Sequence, residues 1–150
     1  MVILSCIYQG YNSYDLKPSQ FKSISYALSL PDAIIEHESS SPYGLLQVVS
    51  SPMQRYAPGL SLNYSEAISP SKVVFNNGNW FAAIPQKGQA DRPNLLDHTS
   101  MALPYTLGSP AEVLIFYAGA GLDVVHALQH KVKRVFAIDP DRGSCIRSKV

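Results

Sequence analysis

The sequence contains little cysteine. Among its 150 residues only Cys6 and Cys145 are cysteines, and they lie far apart. Neither has a second cysteine or a histidine at the spacing of zinc ligands. Nothing else in the sequence indicates secretion, which is where disulfides persist. We therefore expect two free thiols and a cytoplasmic location.

Long runs of one charge and long apolar runs are also missing. Twelve lysines and arginines and eleven aspartates and glutamates are scattered along the chain, so no basic stripe indicates a nucleic-acid partner. The apolar segment 1–7 is far shorter than the ~20 residues of a membrane span and lacks the features of a signal peptide. We expect a folded globular chain, whose membrane association, if any, comes from other parts of a longer parent protein.

The first two thirds of the chain are predicted to be mainly β-structure separated by turn residues. A short helix is expected over about residues 18–30, ended by Pro31. Segments 33–38 and 44–49 are predicted to form an antiparallel pair around a serine-rich turn. Segment 60–64 alternates apolar and polar residues, which predicts a short strand.

A β-hairpin has the strongest local signal in the sequence. Segments 72–75 and 80–84 flank Asn77-Gly78, and both of these residues tolerate the positive φ that a tight hairpin turn requires. The polar segment 86–93 that follows is predicted to be a connector.

A helix is predicted over residues 95–107, where apolar residues share one helical face. Asn94 is a suitable N-cap, and Gly108 is a suitable stop. Pro104 conflicts with this helix, because an interior proline removes a backbone hydrogen bond and kinks the helix.

The periodicity then changes to that of a β-α-β unit. Residues 113–117 are all apolar or aromatic, which is typical of a strand buried on both faces, and 135–138 form a second such strand. A helix over 122–129 connects them. The residues of this helix expected to face inward are Val124, Val125 and Leu128.

Glycines at the end of the first strand and an acid at the end of the second predict a nucleotide site. Gly119 and Gly121 let the backbone approach a ligand, and the following helix offers unpaired N–H groups. Asp139 comes twenty residues after Gly119, where an acid can accept the hydroxyls of a ribose. The alternative is that the glycines serve only helix–strand packing.

The identity of the nucleotide depends on which glycine is missing. A dinucleotide motif requires a third glycine, where this chain has Val124. A methyltransferase-type G-x-G-x-G turn requires a glycine where this chain has Tyr117. Because a β-branched residue blocks close helix–strand approach, whereas a tyrosine can point away, we favour an adenosyl ligand without pyrophosphate.

Five segments carry a resemblance to a known family: VLIFYAGAG (113–121), VFAIDP (135–140), SPYGLLQVV (41–49), APGLSLNY (57–64) and LDHTSMALPY (96–105). Together they resemble the spermidine synthase family, in particular a bacterial branch often fused to membrane helices. The resemblance covers about residues 20–142.

The resemblance implies a class I methyltransferase-type, Rossmann-like domain that follows a small β-domain. It implies S-adenosylmethionine or its decarboxylated form as co-substrate, no metal, and aminopropyl or methyl transfer to a small-molecule amine. Gly119, Ala120 and Gly121 would form the adenosyl-side turn, and Asp139 would hold the ribose. Asp123, in the first turn of the next helix, either compensates the helix dipole or contacts the ligand.

The chain departs from the family on the amine side of the site. Synthases carry Asp-Gly and a downstream glutamine in the hairpin, whereas this chain has Asn77-Gly78 and no glutamine in 79–83. Ala120 replaces an aspartate of the turn. The family's general base lies further along, so we expect catalytic residues beyond Val150 and an open sheet edge in this piece.

The predicted fold class is therefore α/β, with an antiparallel β-rich subdomain before the first β-α-β of a truncated Rossmann-like domain. The predicted parts are a lead-in with a short helix (1–31), a β-rich hairpin subdomain (32–89), and a connecting helix with a partial nucleotide-binding domain (90–150). Two other functions stay open. One is a dinucleotide-dependent oxidoreductase, and the other is a non-catalytic adenosyl sensor attached to a membrane protein.

Histidines supply the remaining candidates. His98 beside Asp97 is either a proton shuttle or a surface residue, since neighbours i and i+1 do not face each other on a helix. His126 and His130 have the i, i+4 spacing of metal ligands, but no third ligand is evident in the sequence, so we predict no metal site. His37 is expected at a strand edge, and Trp80 either packs on the hairpin or stacks on adenine.

Overall fold

The computed structural model describes residues 18–85 and 95–141, which form mixed α/β structure with a four-stranded antiparallel sheet and a two-stranded parallel sheet. The elements of the first part are α1 (Ser23–Leu28), β1 (Ile34–Ser41), β2 (Gly44–Ser50), β3 (Val73–Asn76) and β4 (Asn79–Ala83). Those of the second part are 3-10 helices at Leu95–His98 and Ser100–Ala102, α2 (Leu103–Leu107), β5 (Glu112–Phe116), α3 (Leu122–Gln129) and β6 (Arg134–Ile138).

The antiparallel sheet has its strands in sequence order, β1-β2-β3-β4. The predicted pairing of β1 with β2 is confirmed, but the turn is shorter than expected because pairing continues to Ser41 opposite Gly44. The predicted helix before β1 is also confirmed as α1, over fewer residues. His37 is exposed on β1, which is an edge strand, as expected.

The predicted hairpin is confirmed. Asn77 and Gly78 connect β3 to β4 with φ values of 50° and 77°. The Asn77 side chain also closes the turn onto the neighbouring strand, because its Oδ1 accepts a hydrogen bond from the Leu45 N–H at 3.0 Å. Trp80 packs on Phe75, with ring centroids 4.9 Å apart, so its predicted role in hairpin packing is confirmed.

One hydrophobic core lies between α1 and the antiparallel sheet. Its fully buried members are Ile24, Ala27, Val49, Val73 and Phe75. A second cluster, formed by Leu46, Val48 and Val74, lies at the same sheet and receives Ala120 from the second part of the chain. The two sheets are joined further by Ser41, whose hydroxyl donates to Asp141 Oδ2 at 3.0 Å.

Two predicted elements in the connecting regions are wrong. Segment 60–64 is not a strand, because Ser61 donates its N–H to His98 O and accepts from Tyr64 N–H in a turn. The helix expected over 95–107 is divided into two 3-10 helices and α2. The proline explains the division: Pro104 lies at the start of α2, where its missing N–H costs no hydrogen bond. The predicted connector 86–93 and N-cap Asn94 lie outside the described residues.

The β-α-β unit has the predicted order, with β5 and β6 parallel and α3 between them. The expectation that both strands are buried on both faces is wrong: Phe116 is 64% exposed, and Leu114, Phe136 and Ile138 are also exposed. In the described residues α3 covers one face of this small sheet. Burial of the other face of this sheet requires a second layer of structure packed on it, and the sequence of the strands alone does not show whether such a layer is present.

Helix α3 spans the predicted residues, but part of its predicted inner face is wrong. Val124 packs against the cluster of Ile115, Ala127 and Val132, as expected. Leu128 is instead 58% exposed, and His126 is buried in its place. None of the described helices has the length and apolar character needed to cross a membrane.

Candidate functional site

The candidate site begins at the glycine turn between β5 and α3. The backbone here has positive φ at Tyr117 (57°), Gly119 (51°) and Gly121 (84°). Ala118 continues the strand pairing, since its N–H donates to Ile138 O at 3.3 Å, and Gly121 N–H donates to Ala118 O at 2.8 Å. Gly121 is the N-cap of α3 and has no side chain to bond the first N–H groups of that helix. The first turn of α3 therefore begins at the end of the sheet without a side-chain cap.

Asp139 lies against this turn. One carboxylate oxygen, Oδ2, accepts a hydrogen bond from Gly119 N–H at 2.8 Å. The other, Oδ1, accepts from Asp141 N–H at 2.9 Å. These two bonds hold the carboxylate at the carboxyl ends of β5 and β6. The structure thus brings together Asp139 and the glycine turn, twenty residues apart in the sequence.

The two glycines are needed for their backbone conformation more than for space. A Cβ on Gly121 would meet no atom within 4 Å, and one on Gly119 would lie at an ordinary contact distance of 3.5 Å from Phe81 Cε1. At the positive φ of both positions, an L side chain is strained. The space beside Gly121 is open to a ligand. Ala120, between them, packs on the core instead of facing that space.

Phe81 is a residue of this site that sequence analysis missed. In the β3–β4 pairing, Phe75 lies opposite Trp80 and Val74 opposite Ala82, so Phe81 is the extra residue of a β-bulge. A bulge re-aims a side chain relative to the regular alternation of a strand. Both Phe81 and Ala82 lie beside Gly119 as a result. The sequence contains no local signal for this bulge.

Asp123 follows the turn on α3, but the interaction described for it is with Tyr105. Burial raises the pKa of the Tyr105 hydroxyl, and the negative charge of Asp123 raises it further. Its predicted ligand contact stays a prediction, and its place in the first turn of α3 suits the helix dipole.

A second group of polar side chains meets at the opposite end of α3. Asp97 Oδ1 lies 2.8 Å from His126 Nε2 and 2.7 Å from His130 Nε2. Burial raises the pKa of the Asp97 carboxyl, but the hydrogen bonds from the two histidines outweigh it and leave that pKa below its ordinary value. The expectation that the histidines lack a third potential ligand is therefore wrong. Asp97 and His126 are 29 residues apart, so no local sequence pattern predicts their contact.

The Asp97-His98 pair does not act as a unit in the structure. The Asp97 carboxylate faces α3, whereas the His98 ring packs on Tyr64 with centroids 4.9 Å apart. This divergence agrees with the rule that consecutive helical residues face different directions.

Comparison of the chain with protein-family models, curated proteins and solved structures finds no match.

Proposed function

We propose that the chain binds the adenosyl group of S-adenosylmethionine or its decarboxylated form at the end of the small sheet, where the glycine turn meets Asp139. In this proposal β5, α3 and β6 are the first β-α-β of a Rossmann-like domain of the class I methyltransferase type. The parent protein is a spermidine-synthase-like transferase that acts on a small-molecule amine.

The observation that carries the proposal is the hydrogen bond between Gly119 N–H and Asp139 Oδ2. It places an acid and a backbone turn of positive φ at one end of a parallel strand pair, where open α/β sheets bind their ligands. A carboxylate oxygen accepts more than one hydrogen bond, so Asp139 can hold the turn and also accept from ribose hydroxyls. In this proposal the adenosine lies beside Gly121, where an added Cβ would meet no atom within 4 Å.

The packing of Val124 supports an adenosyl ligand over a dinucleotide. In the dinucleotide motif, the third glycine permits close packing of helix and strand next to the pyrophosphate. Here Val124 fills the contact between α3 and the strands, against Ile115 and Ala127. A β-branched side chain at this contact opposes the close helix–strand approach that the third glycine of a dinucleotide site permits.

The geometry of the hairpin favours a second candidate, a non-catalytic adenosyl-binding module. The Asn77 side chain bonds the backbone of Leu45, and Gly78 O accepts from Ile24 N–H on α1. The hairpin tip thus packs on the antiparallel sheet and α1, while the middle of β4 lies beside Gly119. A hairpin tip engaged in this way offers no acid to an acceptor amine.

Equilibrium titration of the 150-residue chain tests the ligand class. We expect S-adenosylmethionine or its decarboxylated form to bind with a Kd at least about tenfold below that of NADH, a difference of about 1.4 kcal/mol. Isothermal titration calorimetry with each compound makes the measurement, and 5′-methylthioadenosine serves as the control that keeps the adenosyl group and its sulfur but lacks the sulfonium charge. Tighter binding of NADH, or no binding of any adenosyl compound, would refute the proposal.

A further inference from the structure

The geometry points to a second site: we propose that Asp97, His126 and His130 bind a divalent first-row transition metal such as Zn²⁺. The ligand atoms of these three residues lie within 4.8 Å of one another. The two histidines project from one face of α3 and its C-cap, and the acid comes from the 3-10 helix Leu95–His98. This site is separate from the adenosyl proposal, because His126 and His130 lie about 7.5 and 13.5 Å along α3 from Gly121 by the rise of the helix.

A bound metal would draw the two imidazoles together, because the three ligand atoms are now spread over up to 4.8 Å. Zinc binds imidazole nitrogens at about 2.0–2.1 Å and carboxylate oxygens at about 2.0–2.2 Å, so tetrahedral ligand atoms are about 3.3 Å apart. Each Nε2 is now within 2.8 Å of Asp97 Oδ1. Entry of the metal would widen the two contacts with Asp97 by about half an ångström and bring the two Nε2 atoms closer together. The proton on each Nε2 would move to Nδ1 of the same ring or to solvent, which leaves each imidazole neutral.

Aromatic contacts and burial hold the two imidazole rings beside Asp97. Tyr105 stacks on His130, with centroids 4.3 Å apart and planes at 4°, and meets His126 edge-on at 4.8 Å. His126 is only 1% exposed, so its ring has little freedom to turn. Supporting contacts of this kind preorganise metal ligands and raise affinity.

The donor set selects the class of metal. Two neutral imidazoles and one carboxylate suit Zn²⁺ and its first-row neighbours, whereas Mg²⁺ and Ca²⁺ prefer sites made of oxygens. With three protein ligands, the fourth position is left for water. A metal here would tie the C-terminal end of α3 to the segment that precedes β5. The bound metal would therefore restrain α3, the helix that begins at the glycine turn.

Metal titration of the 150-residue chain tests the site. Because thiolates bind zinc, the background is the chain with both Cys6→Ser and Cys145→Ser. We expect one equivalent of Zn²⁺ to bind by calorimetry, and one equivalent of Co²⁺ to give the visible absorption of a tetrahedral site that Zn²⁺ then displaces. Mg²⁺ is expected not to compete.

Variants separate a metal site from a purely hydrogen-bonded cluster. Asp97→Asn keeps an oxygen that accepts from both imidazoles but removes the charge, and His130→Gln changes the exposed histidine ligand. Each is expected to weaken Zn²⁺ binding at least about tenfold, the lower range seen for perturbed metal sites. His98→Gln, next to Asp97 but packed on Tyr64, is the matched control and should bind as the background does. Absence of Co²⁺ absorption, or equal affinity in all variants, would overturn the proposal, and far-UV circular dichroism verifies that each variant is folded.

Discussion

Replacing Asp139 with alanine is expected to weaken adenosyl binding by about a hundredfold or more. The substitution removes the acceptor proposed for the ribose hydroxyls, and hydrogen bonds to a charged group contribute about 1.5–3 kcal/mol each. It also releases the Gly119 N–H that the carboxylate now holds at 2.8 Å. Calorimetric titration of the variant with S-adenosylmethionine measures the loss.

Controls for this experiment come from the same small sheet. Glu112→Ala removes an acid at the other end of β5, where it pairs with Arg134, and should leave adenosyl affinity unchanged. Asp139→Asn keeps one oxygen acceptor and should retain part of the affinity. Because loss of the bonds to Gly119 and Asp141 costs about 1–3 kcal/mol of stability, thermal unfolding must accompany the titrations. Full affinity in a folded Asp139→Ala chain would exclude the carboxylate from binding.

Phe75→Ala is expected to have the largest effect on stability. Phe75 is 0% exposed and packs with Ile24, Val49 and the ring of Trp80. Removing a buried phenylalanine ring lowers the free energy of unfolding by about 3–5 kcal/mol, because its apolar contacts are lost and a cavity remains in the core. That is a large share of the roughly 5–15 kcal/mol that stabilises a typical domain. Urea denaturation of both chains gives the change in the free energy of unfolding.

The matched control for this substitution is Phe21→Ala. Phe21 precedes α1 and is 89% exposed, so the same chemical change should alter stability by less than about 0.5 kcal/mol. Equal destabilisation by the two substitutions would mean that the core between α1 and the antiparallel sheet is wrongly placed.

Elements with a local signal were predicted well from the sequence. The turn at Asn77-Gly78 needs two residues that tolerate positive φ, and such residues fix a hairpin over a few positions. The bounds of helix α3 were also predicted, because a glycine turn marks its start and the next strand follows its end. In both cases the deciding contacts lie within about ten residues along the chain.

Features that depend on distant contacts could not be predicted in this way. The exposure of Leu114 and Phe116 depends on what covers the parallel sheet, and an apolar strand has the same sequence with one covered face or two. The bulge at Phe81 and the contact of Asp97 with His126 depend on how separate segments dock. Pro104 marked a real break, and it lies in the first turn of α2.

The most direct test of adenosyl binding at the glycine turn is a titration followed by the backbone amide resonances of the ¹⁵N-labelled chain. With S-adenosylmethionine as the probe, we expect the largest shifts at Gly119 and Gly121, which form the proposed site. Gly59, in a turn of the antiparallel part, should stay in place. A shift at Gly59 with the resonances of Gly119 and Gly121 unmoved at saturation would contradict the proposed site.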